Sequence, residues 1–181
     1  MSKISFDYSP LNVEISEKYG HLNYLYQSIE PSEYQYKMLD QNNLNDIEPE
    51  NHAICLNVTH KTRYLLVFNN FKGINQALFI LYGKHCSSSQ VWLQHFQIKE
   101  SLFQGTILDG DLIQNNLGNP IFLVSDIYWC KGVDVRLTQL EEKRKLINFE
   151  KDIINNPFLT KLKLEWNPIF SCNNISQALK T

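Results

Sequence analysis

Three aspartates stand inside stretches of sequence that are otherwise apolar. Asp109 and Asp111 flank Gly110 in TILDGDLIQ, and Asp126 lies in IFLVSDIYW. A carboxylate within an apolar strand is costly to bury unless it is paired or bound to something. Two neighbouring strands interrupted in this way point to a polar site where they meet. A β-bulge would carry the same residues, and spacing alone leaves both readings open. The remaining reactive side chains show no such order. His21, His52, His60, His85 and His95 lack ligand spacing, and Cys55, Cys86, Cys130 and Cys172 form no CxxC pair. Neither zinc nor a disulfide framework is expected, and reduced thiols in core or near-core positions are. Lys84-His85-Cys86 beside Ser87, Ser88 and Ser89 reads as a surface loop. No metal and no cofactor are expected.

The two acidic segments resemble consecutive motifs of the nucleotidyltransferase domain of mRNA capping guanylyltransferases, most nearly the versions of large DNA viruses. GTILDGDLI falls where the family has Leu-Asp-Gly-Glu. FLVSDIYWCKGVDV falls where an apolar run with Asp precedes a Tyr-x-x-Gly turn, and RLTQLEEKRKLI supplies the charged helix that follows. The resemblance covers roughly residues 53–178 and is most specific between 102 and 129. It implies an α+β nucleotidyltransferase core, and a reaction in which a lysine amine attacks the α-phosphate of GTP beside a metal ion.

The residues for that reaction are absent. The family's Lys-x-Asp-Gly-x-Arg, leading into a Tyr-Leu-Leu strand, aligns here with Val58-Thr59-His60-Lys61-Thr62-Arg63 and Tyr64-Leu65-Leu66. Val58 occupies the nucleophile position. Lys61 stands three residues further on, about 10 Å along an extended chain, where the family has the glycine that lets the loop approach the nucleotide. A far smaller displacement abolishes in-line chemistry. The aromatic that stacks on the purine is replaced by Ser125, and the later lysine motifs and OB-fold lid have no counterpart. The chain reads as a domain that has shed the reaction, with no catalytic residue. The cap-binding domain of snurportin, a guanylyltransferase-like fold without catalysis, is the precedent.

A retained pocket without a nucleophile implies binding. A 7-methylguanine base is cationic, so a cap pocket offers an aromatic face for stacking and cation–π attraction. An acid accepts from the base edge, and basic side chains hold the phosphates. Arg63 and Lys61 are the candidate phosphate partners, Asp109, Asp111 and Asp126 the candidate acceptors, and Trp129 the candidate platform ahead of Trp92 and Trp166. Each has a plain structural reading: a Trp in a β-rich domain commonly belongs to the core, and Lys61 reads equally as a loop charge. The implied ligand is capped RNA or 7-methyl-GTP, bound in translation or processing of viral mRNA. An active or split guanylyltransferase, and a structural subunit of a capping or transcription complex, are the alternatives.

The elements that must position these residues are mostly strands. Alternating apolar runs at 53–58, 63–69, 76–82, 90–96, 106–114 and 121–128, joined by short turns, predict antiparallel β-sheets in a meander. One major helix is expected from Thr138, whose pairing with Glu141 reads as a capping box, through Ile147 to Ile154. Lys143, Arg144 and Lys145 are expected on its exposed faces. A strand at 161–166 and a short helical segment at 173–180 complete the chain.

Residues 1–50 form an acidic, Tyr-rich N-terminal arm with nine acids and three bases, net −6, whereas 51–181 carry ten acids and fourteen bases, net +4. The mildly basic part suits a phosphate-bearing ligand, and the arm is a candidate surface for a protein partner. No run of about 18 apolar residues exists, so no membrane span is expected. Nor does the N-terminus read as a signal peptide, so a cytoplasmic location is expected.

Overall fold

The computed structural model describes residues 20, 53–55, 64–81, 90–94, 96–153 and 162–171. Apart from Gly20, the N-terminal arm lies outside the described residues, as do Val58, Lys61, Arg63, the 84–89 loop and the 173–180 segment.

The sheet grows from tight hairpins. Strand β2 (Tyr64–Phe71) turns into β3 (Ile74–Leu81) through Lys72-Gly73, both at positive φ (52° and 83°). That pairing matches the turn to the strands' right-handed twist. Asn70 fastens it, its Oδ1 accepting from the Gly73 N–H at 3.1 Å and its Nδ2 donating to Asn75 at 2.7 Å. Strand β4 (Gln90–Gln94) pairs with β3, while β5 (Gln104–Gln114) pairs with β2 on one side and β6 (Pro120–Cys130) on the other. The β5–β6 turn is built on Asn115, whose Oδ1 accepts from the N–H groups of Leu117 and Asn119.

Beyond β6 lie β7 (Val133–Asp134) and β8 (Lys163–Trp166), giving the order β4-β3-β2-β5-β6-β7 with β8 also on β6. A separate two-stranded sheet pairs β1 (Ala53–Cys55) with β9 (Ile169–Ser171). The fold is α+β, but the main sheet is mixed rather than antiparallel, because β8 runs parallel to β6. Between β6 and β8 the described chain passes through β7 and two short helical segments, within the long connection that parallel neighbours require. Cys55 on β1 is exposed, not near-core as expected.

Both faces of the main sheet are buried, which is why β2 reads as an unbroken Leu65-Leu66-Val67-Phe68. Leu66, Phe68, Leu108, Phe122, Val124 and Ile127 pack on one face with Ile147 and Ile153. Leu65, Val67, Leu78, Ile80, Ile107 and Tyr128 form the other layer.

The expected long helix is divided. α1 (Leu140–Leu146) ends where Ile147 becomes extended and buries its side chain, and α2 (Phe149–Asp152) begins afresh. Asn148 caps α2 through Oδ1, which accepts from the N–H groups of Glu150 and Lys151, while Asp152 accepts from the Asn148 N–H at 2.8 Å. The Thr138–Glu141 capping box does not form. Gln139 occupies the N-cap position without a side-chain bond, Thr138 belongs to the preceding turn, and Leu137 is fully exposed.

Candidate functional site

Asp109, Asp111, Asp126 and Trp129 all lie on the adjacent strands β5 and β6, with Asp109 directly opposite Asp126. Asp109 is paired with Leu65 on one side and Asp126 on the other, so alternation sets Asp109 and Asp111 on the Leu65 face. Both are buried, at 1% and 3% exposure. Trp129 lies opposite Ile107 and packs against the same layer, half-buried.

Two bulges on β6 shape this region. Ser125 is the extra residue between the Asp109–Asp126 and Gly110–Val124 pairs, and Tyr128 is the extra residue between the Leu108–Ile127 and Ile107–Trp129 pairs. Each places two residues of β6 against one of β5. Val124, Ile127 and Cys130 consequently share a layer although they are three residues apart. The bulge expected as the plain reading of Asp109-Gly110-Asp111 is thus present, with its extra residue on the partner strand. Gly110 is required there, since a Cβ would stand 2.2 Å from the Leu123 carbonyl oxygen. Ser125, in place of the family's aromatic, accepts from Asn167 Nδ2 at 3.1 Å, and the Asn167 N–H donates to Val124 O. That clamp follows the end of β8.

Asp126 is held by α1. Its Oδ1 accepts from Lys143 Nζ at 2.9 Å and from the Ile127 N–H at 2.8 Å, and Lys143 also donates to the Arg136 carbonyl at 3.1 Å. Lys143 is only 3% exposed, against the expectation of a solvated face. The reason is its place in the inward stripe Leu140, Lys143, Ile147, spaced i, i+3, i+7, a signal already present in the sequence. Nearby, Arg136 makes a two-pronged contact with Asp134 at 2.7–3.1 Å. These bonds hold the Asp134 carboxyl below its usual range.

The other two tryptophans lie elsewhere. Trp92 packs in the aromatic layer with Tyr64, 6.0 Å between ring centroids. Trp166 stacks at 4.8 Å on Phe149 and receives the Arg144 guanidinium 5.0 Å from its ring, in a groove between α1–α2 and β8. Arg144 therefore has a specific aromatic partner rather than a merely solvated position. Lys145 remains exposed, bonded to Glu142. Burial pushes the Cys130 thiol up, so it is held as a neutral core group. Among the described residues no group of three His, Cys, Asp or Glu side chains could hold a metal ion, and no helix is long and apolar enough to cross a membrane.

Fold and site together define an α+β domain whose central strand pair carries three aspartates and a half-buried indole. No protein-family model matches the chain, and no curated protein matches it.

Proposed function

We propose that this chain is a non-catalytic relative of the guanylyltransferase nucleotidyltransferase core, without an OB-fold lid, that binds the 5′ 7-methylguanosine cap of RNA in translation or processing of viral mRNA. The observation that carries the reading is the pairing of Asp109 with Asp126 across β5 and β6, with buried Asp111 two residues further along β5 and half-buried Trp129 three residues further along β6. In this reading Trp129 stacks on the cationic base. Asp109 and Asp111 accept from its N1–H and amino group in a low-dielectric setting that strengthens both bonds. Asp126, with one oxygen engaged by Lys143, keeps the β6 bulge in register beside them. Arg63 and Lys61 are assigned to the phosphates from sequence. With Val58 at the nucleophile position, no covalent guanylate is formed.

Tryptophan fluorescence titration with 7-methyl-GTP and GTP tests this reading. Saturable quenching that favours the methylated ligand is expected, weakened about tenfold or more in Asp111→Asn by loss of a charge-assisted bond and largely lost in Trp129→Leu. Equal response to GTP, with a GMP adduct in the intact mass after incubation with GTP and a divalent metal, would establish the guanylyltransferase alternative. Absence of binding to either ligand would leave a structural subunit.

A further inference from the structure

The groove between α1–α2 and β8 stands apart from the carboxylate site and has a chemistry of its own. Its volume is about 620 Å³, within the range of pockets that hold drug-sized ligands. Phe149 and Trp166, their planes 30° apart, give it an aromatic wall, and Arg144, Lys145 and Lys163 place three cations around that wall.

The cations are differently engaged. Lys145 and Lys163 bond the exposed carboxylates of Glu142 and Glu165 at 2.5 and 2.7 Å. Such surface pairs contribute at most about 1 kcal/mol, so a phosphate can take over either ammonium at little cost. Arg144 makes no ion pair with a described residue; its contact is the face of Trp166. A guanidinium has five donors in a planar fork suited to phosphate, and ring contact leaves those donors available. Glu165 is offset by Lys163, whereas Glu150, the other carboxylate lining the groove, makes no ion pair with a described residue. It can accept from an exocyclic amine of a base.

Aromatic surface interleaved with cations is the pattern that holds single-stranded nucleic acid: bases stack on rings and guanidinium planes while the charges follow the backbone. An acidic peptide would use the cations and leave the wall idle. We infer that this groove binds one or two nucleotides of single-stranded RNA, with a base against the Phe149–Trp166–Arg144 surface and phosphates at Arg144, Lys145 and Lys163. The inference deepens the reading of the protein as an RNA-cap binder by adding a site for the body of the RNA.

The test uses the full chain and a fluorescent 5′-hydroxyl hexaribonucleotide, which has no cap, read by anisotropy across a salt series. Three phosphate contacts predict a slope of log K against log salt of about −2. Arg144→Gln and, separately, Lys163→Gln are each expected to weaken binding several-fold and to reduce that slope by about 0.7. Lys163 is exposed, so its variant keeps the fold should loss of the Trp166 contact disturb the other. On both variants the response to 7-methyl-GTP is expected to stay as in the parent. If the uncapped RNA fails to bind, or binds both variants with parental affinity and slope, the inference is overturned. A poly-glutamate peptide binding as tightly at equal salt also overturns it, in favour of an acidic protein partner. Failure of 7-methyl-GTP with intact hexanucleotide binding would remove the cap reading alone.

Discussion

Lys143 is buried while the carboxylate it meets keeps 31% of its side-chain surface in water, and the two partners therefore differ in what their loss costs. Removing the carboxylate strands an ammonium in the core; removing the ammonium leaves a carboxylate that water and the Ile127 N–H still solvate. Asp126→Ala is expected to cost about 2–3 kcal/mol, below the full value for a wholly buried pair. Lys143→Met, which keeps the stem's packing, is expected to cost about 1 kcal/mol or less, and the double variant to recover most of the loss seen in Asp126→Ala. Urea midpoints at constant m-value check this; equal costs for the two single variants would refute the asymmetry. Asp109 and Asp111 were legible as buried charges because apolar neighbours surround them in sequence. Lys143 was hidden by its own neighbours, since the charged run EEKRK masks the one position that faces inward.

At the scale of elements, the α1–α2 break shows what periodicity leaves out. Leu140, Ile147 and Ile154 keep helical spacing, yet Ile147 is extended and Asn148 starts a second helix, because an Asn side chain satisfies N–H groups that a continuing helix would otherwise bond. The hairpins were legible from turn residues at Asn69 to Gly73 and Asn115 to Pro120, although Asn69–Phe71 belong to β2 and Pro120 to β6, so that the first turn narrows to Lys72-Gly73. The direction of β8 was not, since alternation marks a strand's faces but is the same read either way. Asp152, which closes the α2 cap and also bonds Lys99 at 2.6 Å, carries a pH prediction. Burial raises its carboxyl, but hydrogen bonds from Lys99 and the Asn148 N–H, with the charges of Lys99 and Lys131, outweigh burial and hold it below the usual value. A carboxyl lowered on folding contributes stability that is present above its unfolded pKa, about 3.9, and is lost as pH falls through the folded value. Asp152→Asn is expected to be roughly 1 kcal/mol less stable than the parent at neutral pH, since Lys99 is largely exposed. That gap should close in acid; a gap constant with pH would exclude the linkage.

Across the whole molecule, stability is concentrated in the middle of the sheet. β5 is buried on both faces and bonded along both edges, whereas β1 and β9 pair over three residues each. Short two-stranded units are marginal by themselves. Hydrogen exchange is expected to find the amides of Leu108 to Leu112 protected to the level of global unfolding, and those of β1 and β9 opening at much lower cost. Comparable protection in both would mean that the small sheet is held as firmly as the large one. The β1–β9 register has one more consequence. Ala53 and Ser171 are direct antiparallel partners, so their Cα atoms lie about 5 Å apart, and the chain enters and leaves this stretch at nearly one point. Whatever precedes and follows this stretch therefore meets it at one doorway, little wider than the spacing between two strands.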